Sequence, residues 1–138
     1  EALALARDNV AQHAVAGRVE LVLGDWWAAV PDRRFDLLVS NPPYVDPARP
    51  DLLEVAVRRF EPGAALFTVP GDPASAYRQI LNGVEAGLVP GAWLLFETGV
   101  GAAEPALAEL RTRPWLIEPA LESDLAGLPR YLSARVAG

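Results

Sequence analysis

Three short runs constrain the fold most: Arg18–Leu23 (RVELVL), Phe35–Ser40 (FDLLVS) and Ala92–Glu97 (AWLLFE). Each is brief, rich in branched or aromatic residues, and flanked by Gly, Pro or Asn, which predicts strands. Phe35–Ser40 is apolar almost throughout, the pattern of a strand covered on both faces of its sheet. Segments of helical period alternate with these runs. Leu3, Ala6 and Val10 recur along residues 1–13, with Gly17 as a stop signal just beyond. Asp72-Pro73 reads as an N-cap followed by the first helical residue, and Tyr77, Ile80, Leu81, Val84 and Leu88 form one stripe after it. Pro90-Gly91 predicts a turn into Ala92–Glu97. Pro105 opens a further helix through Leu107 and Leu110, and Trp115–Glu118 and Tyr131–Val136 read as two closing strands joined by a polar loop. This alternation predicts a layered α/β fold with a mostly parallel sheet and an antiparallel terminal hairpin. Residues 45–72, rich in Pro and Asp, read as an ordered loop over a site, with a short helix around Leu52–Val57.

Composition narrows the chemistry. The 138 residues suit one domain, and 51% of them are hydrophobic, enough for a core. There is no cysteine and one histidine, which removes thiolate catalysis and the usual cysteine- or multi-histidine metal sites. All 12 basic residues are arginine, and 18 acids leave a net charge of −6, which argues against a uniformly basic nucleic-acid surface. No apolar run is long enough to span a bilayer and no signal-peptide pattern opens the chain, so a cytoplasmic protein with no membrane partner is expected. Methionine is absent throughout and the sequence begins within a helical pattern, which predicts a piece of a longer or N-terminally trimmed product.

The chemistry concentrates in Asn41-Pro42-Pro43-Tyr44, directly after Phe35–Ser40. Open α/β sheets bind ligands beyond their strand ends. The Asn41 amide offers an acceptor oxygen, and Pro42, with a fixed φ, aims its carbonyl narrowly. Two such acceptors can hold both hydrogens of an –NH2 group whose lone pair is delocalised, aiming the nitrogen at an electrophile. Tyr44 can stack on a flat amide or base. No nucleophilic Ser-His or Cys-His set accompanies these residues.

Ser40-Asn41-Pro42-Pro43-Tyr44 resembles the catalytic motif of S-adenosylmethionine-dependent amino-methyltransferases. Further segments resemble the HemK-type release-factor glutamine methyltransferases: Gly24-Asp25-Trp26, the run Val57-Arg58-Arg59-Phe60-Glu61-Pro62 with Ala65-Leu66, the strand Pro90–Glu97 with Gly99, and Ser123–Arg130. The likeness covers essentially all of residues 1–138. It implies a Rossmann-like methyltransferase sheet truncated at its N-terminus, the chain being a partial catalytic domain without the first two strands and the glycine-rich turn. In the family's sheet those two strands lie between the runs 18–23 and 35–40, so their absence predicts open edges or a new pairing. The implied cofactor is S-adenosylmethionine, with Asp25 and Trp26 by its adenine and Asn41 also among the cofactor-binding residues. The implied substrate is the glutamine of the Gly-Gly-Gln loop of peptide chain release factors, held by Asn41, Pro42, Pro43 and Tyr44, with Phe60 and Glu61 shaping the substrate side. Nucleic acid enters only indirectly, through ribosome-type partners.

Two other readings compete. One keeps the chemistry on adenine or guanine of DNA or RNA, which the acidic balance and the Arg-Phe-Glu-Pro segment disfavour. The other is a non-catalytic remnant or binding module. Glu97, at a strand end beside the motif, reads as a positioning group. Gly99-Val100-Gly101 follows the wrong strand for a cofactor loop.

Overall fold

The computed structural model describes residues 2–138, which divide into two compact units, one ending at Arg33 and one running from Arg34 to Gly138.

In the first unit, Ala2–Gln12 forms helix α1, as its uninterrupted apolar spacing predicts. The expected strand at residues 18–23 does not form, and its backbone is irregular. A strand is stable only where its N–H and C=O groups meet a neighbour's, and none of the strand pairings involves this run. Val19, Val22 and Leu23 are exposed there. An ion pair from Arg33 Nη1 to Glu20 Oε2 at 2.6 Å ties the run to the end of the unit. Trp26–Ala29 forms one 3-10 turn. A Cβ on Gly24 would lie 2.5 Å from Cβ of Ala29, so only glycine admits this turn so close behind the chain.

The second unit is a four-stranded sheet in the order β1 (Phe35–Ser40), β2 (Leu88–Glu97), β4 (Pro129–Val136), β3 (Leu116–Ser123). β1 and β2 are parallel, while β2–β4 and β3–β4 are antiparallel. The terminal hairpin is therefore present and longer than predicted. The expectation of a mostly parallel sheet fails because the run at 18–23 contributes no strand. One edge of β1 is open. The register of β1 on β2 jumps from Phe35↔Leu88 to Leu37↔Trp93, which places the expected Pro90-Gly91 turn as an excursion within one longer strand.

Helices α4 (Ser75–Leu81), α5 (Val84–Gly87) and α6 (Ala103–Arg111) bury Tyr77, Ile80, Leu81, Val84, Leu107 and Leu110. The sheet supplies Leu94, Phe96, Leu132 and Ala134 to the same core, and Tyr77 meets Phe96 edge to face at 5.6 Å. On the alternate positions Leu37 and Val39 are 51% and 69% exposed, and Trp93 and Leu95 are also exposed. Contrary to the sequence reading, the strands are thus covered on one face only. Asp72 does not cap α4, whose N-cap position is Ala74. Its carboxylate instead accepts from Arg78 Nη1 at 2.8 Å, and that guanidinium also reaches Glu109 on α6 at 2.6 Å.

Residues 45–72 are ordered, as expected, by local pins. Val45 N–H donates to the Leu66 carbonyl and Thr68 N–H to the Val45 carbonyl, each at 3.0 Å. Asp46 accepts from Ala48 N at 2.8 Å and Gly71 N at 3.0 Å. The helices here are α2 (Val55–Phe60) and α3 (Gly63–Leu66), with a 3-10 turn at Pro50–Leu52. The expected helix thus begins three residues late, because Pro50 starts a separate turn.

Candidate active site

β1 delivers Asn41 to the C-terminal end of the parallel pair, and the two prolines then force the chain out of the sheet. Val45 re-pairs at once with Phe67, so Asn41–Tyr44 is a short span fixed at both ends. Pro42 is buried, Pro43 and Tyr44 are half-buried, and Asn41 is exposed.

Asn41 stands between two clefts. One, of about 290 Å³, is lined by Asn41, Pro42 and Tyr44 and closed by Leu53, Val57 and Arg130. The other, of about 440 Å³, runs along the uncovered sheet face from Asn41 past Leu95 and Glu97 to Tyr131. Among the described residues no hydrogen bond engages the Asn41 side-chain amide or the Pro42 carbonyl. Two acceptors of the type the motif requires are therefore unengaged, beside a slot with both apolar walls, Leu53 and Val57, and charged ones, Glu54 and Arg130.

The Tyr44 hydroxyl donates to Glu97 Oε1 at 3.4 Å, a long contact that fits the positioning role expected of Glu97. Burial raises the Tyr44 pKa, the Glu97 charge raises it further, and Arg130 opposes both. The phenol is therefore neutral at physiological pH and can donate. Burial likewise holds the Tyr77 phenol well above its ordinary range, and its hydroxyl donates to the Glu97 carbonyl at 2.9 Å. Arg130 comes from the terminal hairpin. There Asp124 Oδ1 accepts from Ala126 N at 2.9 Å and Leu128 N at 3.0 Å. These bonds, that from Leu128 foremost, depress the Asp124 pKa.

The structure thus brings Asn41, Pro42 and Tyr44 to one cleft, with Pro43 between them. Phe60 and Glu61 do not line it: Phe60 is 76% exposed beneath the Arg59 guanidinium, and Glu61 is exposed. Leu53 and Val57, from the same stretch, line it in their place. Asp25 and Trp26 belong to the first unit and are both exposed. Trp26, 38% exposed, holds φ +45°, a left-handed conformation rare for a bulky residue. The Asp25 carboxylate makes no capping bond to the turn it precedes. Sequence reading assigned no role to Arg130 or Gly99 individually. For Gly99 the available signal was its place just after the run Ala92–Glu97; for Arg130, on β4, there was none. No group of metal-ligating side chains occurs among the described residues, and no helix among them is long and apolar enough to cross a membrane.

The family model for the methyltransferase small domain matches residues 1–85. The chain is 44% identical over 135 residues to the release factor glutamine methyltransferase of Cereibacter sphaeroides, covering 98% of this chain and 48% of that protein. It is 37% identical over 135 residues to the protein of the same name from Geobacter sulfurreducens, covering 98% and 46%. Against that of Bordetella pertussis it is 41% identical over 131 residues, covering 94% and 46%. The chain spans about half the length of these curated relatives. With a family match over more than half its length, this chain belongs to the methyltransferase small domain family.

Proposed function

We propose that the protein to which residues 1–138 contribute a partial catalytic domain methylates the side-chain amide nitrogen of a glutamine, that of the Gly-Gly-Gln loop of peptide chain release factors. The observation that carries this reading is the pair of unengaged acceptors, Asn41 Oδ1 and the Pro42 carbonyl, beside a cleft walled by Tyr44. The names of the relatives support the substrate.

S-adenosylmethionine, when bound, supplies an electrophilic methyl carbon on a positively charged sulfur. The residues present fit part of it. The exposed Asp25 carboxylate can accept from an adenine amino group, and the exposed Trp26 indole offers a face to its ring. No residue described here is assigned to its ribose.

The other steps belong to the chain's own residues. An amide nitrogen is a poor nucleophile because its lone pair is delocalised into the carbonyl. Asn41 Oδ1 and the Pro42 oxygen each take one N–H, which leaves the nitrogen lone pair as the only direction open to attack. Both oxygens meet the positive charge that grows on nitrogen, so their contribution is larger in the transition state than in the ground state. Tyr44 lies flat against the amide and limits its rotation. Leu53 and Val57 line the slot beside the amide, and once the nitrogen is substituted one of its hydrogens is lost as a proton to the solvent that reaches the exposed Asn41.

The test is methyl transfer by the whole protein to purified release factor and, in parallel, to DNA and RNA. Labelling of the release factor glutamine is expected. Labelling of nucleic acid alone would overturn the substrate, and labelling of nothing would favour a non-catalytic remnant.

A further inference from the structure

Tyr44 is seated by residues that the proposed chemistry does not use. A Cβ on Gly99 would stand 2.7 Å from Cε2 and 3.2 Å from Cζ of Tyr44, so any side chain at 99 displaces the ring. The Tyr44 hydroxyl reaches Glu97 Oε1 at 3.4 Å. Arg130 lines the same cleft as the ring. It is held in turn by Asp124 Oδ2 at 3.4 Å from its Nε and by the Thr98 carbonyl at 3.5 Å from its Nη1. Thr98 N–H donates back to the Arg130 carbonyl at 2.8 Å. The residues that follow and end β2 are therefore tied both to the hairpin and, through Tyr77, to α4.

We propose that Glu97, Gly99 and Arg130 are positioning residues that seat the Tyr44 ring and so set the width of the amide slot, a role that rests on the reading of that slot given above. Gly99 gives the ring room against the backbone. Glu97 accepts its hydroxyl. Arg130 stands beside the ring in the cleft wall and partly offsets the Glu97 charge that, with burial, keeps the phenol protonated. Gly99 and Glu97 do not line the slot, and Arg130 lines it beside the ring. Their effect is exerted through the ring, and an ångström of misplacement at a reacting group can cost on the order of 10²-fold in rate.

Two measurements decide it. The first uses the chain itself, with ring-labelled tyrosine followed by NMR as pH rises, the Tyr44 signal being identified by its loss in Tyr44→Phe. Glu97→Gln removes the adjacent negative charge and is expected to move the Tyr44 titration to lower pH, while Arg130→Gln moves it to higher pH. No movement in either variant overturns the seating. This arm needs no methyl transfer, so it stands or falls apart from the proposed function. The second uses the whole protein on release factor. Gly99→Ala is expected to lower kcat by about tenfold or more with cofactor affinity unchanged. In a Tyr44→Ala background the same substitution should cost nothing further. Additive losses, or weakened cofactor binding, overturn it. Glu97→Gln, which keeps an acceptor oxygen, should retain more activity than Glu97→Ala, and equal losses would again overturn it. Should Gly99→Ala fail to fold, the titration still decides.

Discussion

Removing one oxygen atom from Tyr77 tests how the site is tied to the core. Tyr77 is fully buried, its ring packs edge to face on Phe96, and its hydroxyl donates to the Glu97 carbonyl at 2.9 Å. Tyr77→Phe keeps the ring and deletes only this bond. A buried hydrogen bond is worth about 1 kcal/mol net, and the stranded carbonyl adds desolvation cost, so a loss of about 1–2 kcal/mol is expected. With a urea m value of about 2 kcal/mol/M, the middle of the usual range, the unfolding midpoint should fall by about half to one molar at unchanged m. Alkaline pH supplies an internal control. Burial raises the folded phenol's pKa above its ordinary value of 10.0, so above that pH the unfolded chain gives up a proton that the folded chain retains. The folded state then binds more protons, and stability falls as pH rises, by about 1.4 kcal/mol per pH unit for each such group. Tyr77→Phe removes one group from this slope, and the two stability curves should converge above pH 10. Urea unfolding followed by tryptophan fluorescence at pH 8 and at pH 10.5 reads both effects. Equal midpoints at pH 8, or curves that stay parallel into alkali, would refute the assigned hydrogen bond and burial.

Other consequences can be checked directly. Asn41→Ala in the whole protein should cut kcat on release factor by about 10²-fold with cofactor affinity nearly unchanged; single-turnover kinetics and equilibrium binding separate the two, and wild-type turnover would remove the acceptor role. Calorimetric titration of residues 1–138 with S-adenosylmethionine should give no micromolar binding, because on the proposed reading these residues supply no contact to its ribose; a micromolar Kd would contradict this. The depressed Asp124 pKa, due first to the bond from Leu128 N–H, stabilises the hairpin above the unfolded carboxyl's pKa, and that stability is lost as pH falls through the lower folded value. Thermal melts from pH 6 to pH 2 should therefore show a smaller acid-induced drop in Tm for Asp124→Ala than for the unsubstituted chain.

The sequence was most legible where structure is decided locally. Asn41-Pro42-Pro43-Tyr44 announces its own geometry, since prolines after a strand leave the backbone few directions. The stripe from Tyr77 to Leu88 gave the buried side of α4 and α5 because helical period depends only on nearby residues. Contacts between distant segments were not readable. Arg130 reaches the cleft of Tyr44 through the order of strands in the sheet, and nothing near Arg130 in the chain encodes that meeting. Phe60 and Glu61 were expected on the substrate side, yet α2 turns Val57 inward and leaves Phe60 outside. In a helix as short as α2 (Val55–Phe60), residues three apart need not share a side once the chain leaves the helical path at Glu61.

The run RVELVL shows the limit most clearly. Its composition is that of a strand, and by branched content alone it is as good a candidate as FDLLVS. FDLLVS becomes β1 because AWLLFE lies beside it and takes its hydrogen bonds, Leu37 to Trp93 through Ser40 to Phe96. RVELVL has no such neighbour and stays irregular. Strand propensity therefore marks a segment able to pair, while pairing itself is a property of two segments. The same reasoning accounts for Leu37, Val39, Trp93 and Leu95, whose apolar side chains read as a second covered face and stand exposed. A side chain's chemistry states which surroundings would stabilise it. Only the packing of other elements against it decides whether it has them, and Asn41 and Pro42, whose oxygens no other group among the described residues engages, line a cleft that such packing leaves unfilled.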